Sequence, residues 1–489
     1  MKDKRIRNLI IMIAVLALMM IAYFVTGALS DAGDDTTPQE TTPSYPVADV
    51  SPDGVERITM TVKYLDSGDH THGEDKEAEY KKRTLTLILN GGEWRAEEYP
   101  DVPLDKDAVD MIIDDLNSAK STELISVTDE ASLGAYGFDE PRVTLTLAYT
   151  DGSAREFLIG DENSFNYMYY FLDPQDKTKV YMVDETLPSL LTGNVLDFVL
   201  YDEMPKLESG DATSLKWTQG DNVLVYTYYP DGNDKDYTDD YLWYLSVNGG
   251  AEFAVDEDVA TLITEALTTM SYLDCLACDT AKDAEHGLDK AGRLEISYKS
   301  GTDIKTLALD LGAITDDGYY HVRPDGSLLT YYLSTVASDN FELLLSGIER
   351  KLRPDEIFYA DYDRVDGITF SAGDKTLSVA LTHDGSKITY TDKSGAELDY
   401  NAYARICEAL EELSATSYTS VYDGDASFGD ALIFKADFTF NAGEKTNATL
   451  EIRRYSEKYC VVSFMDRADQ LVTLDKANAL ANLLSDYFK

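Results

Sequence analysis

The stretch Asp105-Lys106-Asp107-Ala108-Val109-Asp110-Met111-Ile112-Ile113-Asp114-Asp115-Leu116 places Val109, Ile112, Ile113 and Leu116 at i, i+3, i+4 and i+7. That spacing is the apolar stripe of an amphipathic helix, and Asp105 is a residue type that caps helix N-termini. Trp94 precedes it at the end of a strand pattern, and Tyr136-Gly137-Phe138-Asp139 follows it. The whole arrangement recurs. In the second copy Trp243 precedes Asp256, Val259, Leu262, Ile263 and Leu267, and His286-Gly287-Leu288-Asp289 follows. In the third, Ile388 replaces the tryptophan, Asp399 precedes Tyr403, Ile406, Cys407, Leu410 and Leu413, and Phe428-Gly429-Asp430 follows. Self-similarity at this period makes the repeated unit the basis of the fold.

After each glycine come alternating strands: Val143, Leu145, Leu147 and Tyr149; Leu294, Ile296 and Tyr298; Leu432, Phe434, Ala436 and Phe438. They turn back at Asp151-Gly152-Ser153, Ser300-Gly301-Thr302 and Asn441-Ala442-Gly443, residues suited to hairpin turns. A closing helix is expected near 184–191, 336–345 and 475–488. Strands before a helix and a meander after it predict an α+β fold, with antiparallel sheets carrying helices on one face. The expected units are 51–200, 201–350 and 351–489, with Arg350-Lys351-Leu352-Arg353-Pro354 as a junction. Gly137 and Gly287 are expected to serve the backbone by adopting positive φ.

The 489 residues carry 44% hydrophobic and 11% aromatic side chains, enough for packed cores, and 90 Asp plus Glu against 42 Lys plus Arg. A formal net charge of −48 repels nucleic acid, which is excluded as a partner. Four cysteines make no disulfide scaffold in so long a chain. At the N-terminus, residues 1–7 contain Lys2, Lys4, Arg5 and Arg7, and Leu9 to Leu29 is free of charge. A length of about 20 apolar residues spans a bilayer as a helix. The expectation is therefore a cytoplasmic tail at 1–7, a single-pass anchor at 8–30 and an extracytoplasmic body, because basic residues stay inside. A cleaved signal peptide, with Ala28 and Ser30 as the small residues of its cleavage site, is the competing reading; signal-peptide apolar cores run about 7 to 15 residues, shorter than this one. Residues 31–50 read as a solvated spacer.

Chemistry-bearing clusters are few. His70 and His72, in Asp69-His70-Thr71-His72-Gly73-Glu74-Asp75, are the metal candidates, read as a polar hairpin tip. Asp231-Gly232-Asn233-Asp234-Lys235-Asp236 departs from a calcium loop by its Lys235 and reads as another tip. Cys275-Leu276-Ala277-Cys278 has redox spacing but follows a helix instead of opening one. Both thiols stand opposite Leu124 and Val127 of the first copy, so burial is expected. Cys407, on the apolar stripe of the third helix, reads as core, with a bond to Cys460 in the same unit as the alternative. His286 occupies the place of Tyr136, and His321 and His383 have no recognisable partners. Adjacent tyrosines at 169–170, 228–229, 319–320 and 331–332 put one ring on each sheet face, offering surface for a protein or glycan. No nucleophile with its base stands in a convincing motif.

These features resemble a bacterial membrane-anchored family known as domain of unknown function 4340. The resemblance rests on the basic tail and anchor, the Trp94 strand before an aspartate-capped helix, Tyr136-Gly137-Phe138-Asp139-Glu140-Pro141, Leu158-Ile159-Gly160 and Val180-Tyr181-Met182-Val183. It is best over 94–191; the second copy keeps Leu311-Gly312, and the third lacks both the tryptophan and the Leu-Gly element. The resemblance implies an extracytoplasmic protein often encoded beside gliding-motility-type ABC transporter components. Function is thus expected as a non-catalytic interaction module accessory to an envelope transporter, with a permease as partner and no cofactor. The alternatives are an extracytoplasmic hydrolase of glycan or peptide, or a small-ligand or cation binder.

Overall fold

A computed structural model describes residues 44–65, 80–231, 238, 240–358, 361–385, 387–398, 400–419, 431–441, 446–464 and 467–489. The expected anchor at 8–30, His70, His72, Asp399, Phe428, Gly429 and most of the 231–236 loop lie outside them. No helix among the described residues is long and apolar enough to cross a membrane. The chain divides into two compact units, 1–98 with 106–194, and 99–105 with 195–489.

Three large antiparallel sheets share one order of strands. The first runs in space Glu93–Ala96, Tyr80–Asn90, Val55–Leu65, Val143–Tyr149, Ala154–Glu162, Tyr169–Leu172, Lys179–Val183 and Leu124–Ser126. A hairpin thus precedes the helix, a meander follows it, and the strand just after the helix returns to the far edge. The second sheet repeats this with Phe253–Ala254, Trp243–Val247, Asn222–Tyr228, Ala212–Gln219, Gly292–Ser300, Asp303–Ile314, Tyr320–Pro324, Thr330–Ser334 and Ser271–Ala277. The third follows with Lys387–Thr391, Lys375–Asp384, Val365–Ala372, Leu432–Phe440, Asn447–Arg454, Tyr459–Phe464, Arg467–Thr473 and Ser417–Tyr418. The architecture is α+β.

Likeness between the copies extends to single residues. Where the two halves of each sheet join, the register slips at the same place, between Val55 and Arg57, Ala212 and Ser214, and Val365 and Gly367. Each slip leaves a small buried residue opposite an aromatic: Val55 on Tyr149, Ala212 on Tyr298, Val365 on Phe440. A bulge of this kind sharpens the twist of the strand that carries it.

The periodicity read from the sequence forms the cores. Val109, Ile112, Ile113 and Leu116 of the helix Lys106–Ser118 are buried, as are Val259, Ile263, Ala266 and Leu267 of Glu257–Thr269. Tyr403, Ile406, Cys407 and Leu410 on Tyr400–Glu411, with Leu413 just beyond it, are buried too. Leu262 is only half-buried; Ala266 takes its place inside. Each such side chain contributes roughly 1.5–3 kcal/mol when fully buried. Each helix packs on the closing helix of its own copy, Thr186–Leu191, Ser338–Leu345 or Leu474–Tyr487. Asp256 caps its helix by accepting from the Asp258 amide at 2.9 Å, and Asp105 immediately precedes Lys106–Ser118.

Two sequence expectations need amendment. The spacer does not extend to residue 50, because Tyr45–Pro46 pairs with Lys120–Ser121 and Val47 and Val50 are buried. Asn117 fixes the segment by accepting from the Val50 amide at 2.9 Å and donating to its carbonyl at 2.8 Å. The expected junction at 350–354 is packed within its unit. The Asp256 amide donates to the Leu352 carbonyl, and the Arg353 guanidinium lies 3.7 Å from the Phe253 ring centroid.

Candidate binding cavity of the second copy

In the second copy the antiparallel register sets Tyr228 directly opposite Trp243. Residues so paired point to the same face, and their ring centroids stand 5.1 Å apart with the planes tilted by 43°. The helix Glu257–Thr269 passes beside them. Its inward stripe leaves Glu257, Thr261, Thr264, Glu265 and Thr268 on other faces, at helical neighbour spacing. Between these elements lies a cavity of about 450 Å³, within the range of roughly 300–1,000 Å³ typical of small-molecule sites. The turn before the sheet supplies Glu208, and the loop leading into the tryptophan strand supplies Asp240.

The charge of this lining is one-sided: Glu208, Asp240, Glu257 and Glu265 contribute, and none of the lining residues is Lys, Arg or His. Two hydroxyls are oriented by the helix itself. Thr264 Oγ1 donates to the Ala260 carbonyl at 3.1 Å and Thr268 Oγ1 to the Thr264 carbonyl at 2.9 Å. Each oxygen thereby keeps its lone pairs for an incoming donor.

The two repeated tryptophans differ in one bond. Trp94 is 3% exposed and its indole N–H donates to Asp110 Oδ1 at 2.9 Å, while Lys106 bonds the other oxygen of the same carboxylate. Trp243 is 5% exposed, and its indole nitrogen is not one of the buried polar atoms left without a partner. The matching turn of the second helix carries Ala260 and Thr261, both on the cavity wall. Trp243 itself lines that cavity.

Other sequence candidates fall outside this cavity. Cys275 ends in an edge strand and Cys278 follows it; both are buried free thiols, and burial pushes them up to about 12 and about 11. That is opposite to the lowered value a redox thiol needs. Cys407 and Cys460 are free as well. His286 packs beside the glycine turn, stacked on His321 with centroids 4.7 Å apart, and its pKa is lowered by burial first and by His321 second. His321 does have partners: its Nδ1–H donates to the Ala313 carbonyl at 3.1 Å, and its ring lies against Tyr332 with the planes tilted by 40°. His383 Nε2 bonds the Val365 carbonyl at 2.9 Å. Among the described residues no group of three or more His, Cys, Asp or Glu could hold a metal ion. Of the tyrosine pairs, Tyr320 and Tyr331 are buried while Tyr319 and Tyr332 lie further out.

The sequence reading singled out Trp243 and Tyr228 but only as a repeat marker and a sheet pair. Threonines at i, i+3 and i+7 beside them, at 261, 264 and 268, were the signal that could have joined them into a site. No curated protein and no solved structure matches the chain. Residues 94–291, running from the first tryptophan to the turn that follows Gly287 and including every residue of this cavity, match the family described as Domain of unknown function (DUF4340).

Proposed function

We propose that the protein is a non-catalytic binding module of the bacterial envelope, held by residues 8–30 with its body outside the membrane and accessory to an ABC transporter. The charge-free run Leu9 to Leu29 behind four basic residues supports the anchor. The match to the uncharacterised family, and the transporter neighbourhood that resemblance implies, support the accessory role. The observation that carries a binding role is the second copy's cavity of about 450 Å³, lined by Tyr228, Trp243, Glu208, Asp240, Glu257 and Glu265 with no basic lining residue. Such a site has recognition chemistry ready before a ligand arrives.

Crosslinking of intact cells, followed by detergent extraction and identification of captured proteins, tests this reading. A transporter permease captured in proportion to the anchored protein is the expected result; an anchored protein that crosslinks to no envelope component contradicts it. The hydrolase alternative draws on the carboxylates of the same cavity, since paired Asp and Glu carry glycoside hydrolysis. Shortened products on incubation with oligosaccharides would replace the non-catalytic reading with that one.

A further inference from the structure

We infer that the gap between the segment leading into the second copy and the start of its edge strand Ser271–Ala277 is a docking site for an extended peptide of a partner protein, which pairs with that edge as an added strand. The three copies supply the comparison. Val47, Met204 and Ile357 each stand eight residues before the register slips at Val55, Ala212 and Val365, and Ala119, Met270 and Leu413 each stand fourteen residues after Asp105, Asp256 and Asp399. In the first copy the Val47 amide donates to the Ala119 carbonyl at 3.3 Å, beside the pairing of Tyr45–Pro46 with Lys120–Ser121. In the third the Ile357 amide donates to the Leu413 carbonyl at 3.1 Å, the Ala415 amide donates to the Asp355 carbonyl at 2.8 Å, and Glu356 bridges to Ser414. Two copies thus close this place with their own chain.

The second copy leaves it open. Among the described residues no hydrogen bond joins 202–207 to 270–272, and Met204, Pro205 and Lys206 line a cavity of about 470 Å³ together with Met270, Ser271 and Tyr272. The diversion has a cause. Asp202, at the place of Tyr45 and Asp355, is held by the neighbouring strand instead: its amide donates to the Tyr331 hydroxyl oxygen at 2.9 Å, and its carboxylate accepts from the hydroxyls of Tyr331 at 3.0 Å and Ser327 at 2.6 Å. Farther along, the Tyr201 hydroxyl accepts from the Cys275 amide at 3.1 Å, so the opening is confined to the first residues of the strand. Ser271–Ala277 has a sheet neighbour on one side alone, Thr330–Ser334. An unpaired edge is a template for another chain, and strand addition at such an edge is a recurring mode of peptide recognition. The ligand needs backbone donors and acceptors alternating at strand spacing, which a sugar or a lipid lacks, and an aliphatic residue where Val47 and Ile357 are buried in the other copies. This site shares only Thr268 with the cavity beside Trp243.

The probe is a copy of the chain's own filler, the peptide Arg353-Pro354-Asp355-Glu356-Ile357-Phe358, fluorescently labelled and titrated by anisotropy against the full chain in detergent. Saturable binding is expected. N-methylation of its isoleucine removes the donor that Ile357 gives to Leu413, and should weaken binding by about three- to tenfold, the worth of one hydrogen bond. Ser271→Trp, which fills the gap, should abolish binding, while Lys120→Trp at the closed edge of the first copy leaves it unchanged. The N-methyl comparison needs no altered protein, so it decides the matter even where Ser271→Trp fails to fold. Three results overturn the proposal: no binding by a protein whose melting curve is intact, equal binding of the two peptides, or full binding by a folded Ser271→Trp protein. Envelope crosslinking that persists in any of these cases would leave the accessory role standing, so the two readings fail separately.

Discussion

Gly137 and Gly160 come so close that neither position has room for a Cβ. One built on Gly160 would lie 2.1 Å from the Tyr136 carbonyl oxygen, and one on Gly137 would lie 2.6 Å from the Asp161 amide nitrogen. The second copy repeats the contact: Gly312 would meet the His286 carbonyl at 2.2 Å, and Gly287 the Ala313 amide at 2.7 Å. There the Ala313 N–H donates to the His286 carbonyl at 2.8 Å, pinning turn to strand. Gly137 and Gly287 also hold φ of 85° and 70°, a region where L side chains are strained. The Leu-Ile-Gly and Leu-Gly strand ends are thus the second half of one backbone crossing whose first half is the aromatic-Gly turn.

Gly137→Val should therefore destabilise the chain by roughly 1–3 kcal/mol through backbone strain, with further loss from the clash at Asp161. Denaturant unfolding of the full chain reads this, and Gly160→Ala should behave similarly although its φ is ordinary. Partner capture should fall only with the folded fraction. An unchanged unfolding curve with lost capture would assign the glycine to a ligand instead.

Trp94→Phe should cost about 1 kcal/mol more stability than Trp243→Phe, the net worth of the bond to Asp110. Both substitutions trim one ring from a buried site, so the difference isolates the hydrogen bond. Equal losses in a melting comparison would mean that Trp243 has a partner of its own.

The His286 ring, buried against His321, has its pKa lowered. A histidine held neutral in the folded chain stabilises it fully above the ordinary histidine pKa, and that contribution declines as pH falls below it, when the unfolded chain takes up the proton first. His286→Tyr, the residue type of the first copy, should match the native melting temperature near neutrality and exceed it increasingly toward acid. A gap independent of pH would show that the stack does not titrate.

Much of this was legible from period and turn chemistry. The stripes on the three helices, the burial of the thiols at 275 and 278, and the glycine turns at 137 and 287 follow from local rules. The common order of strands was not legible, because it depends on the segment after the helix crossing to the far edge, a choice made by tertiary contact. The register slips at Val55, Ala212 and Val365 escaped for the same reason. The cavity was hidden because its parts come from separate pieces of 208–268 that only the strand register and the helix bring together.

Topology has its own check. Protease added to intact spheroplasts should remove the body after residue 50 and leave a membrane-bound fragment containing 8–30. Full protection of the body contradicts an extracytoplasmic location.

The claim that the second copy's cavity is where the chain binds is tested most directly by hydrogen–deuterium exchange of the full chain with and without the envelope partner captured by crosslinking. Slower exchange confined to 222–228, 243–247 and 257–269 is the predicted result, with 80–96 and 106–118 unaffected. Protection in the first copy alone, or spread evenly over all three sheets, would contradict it.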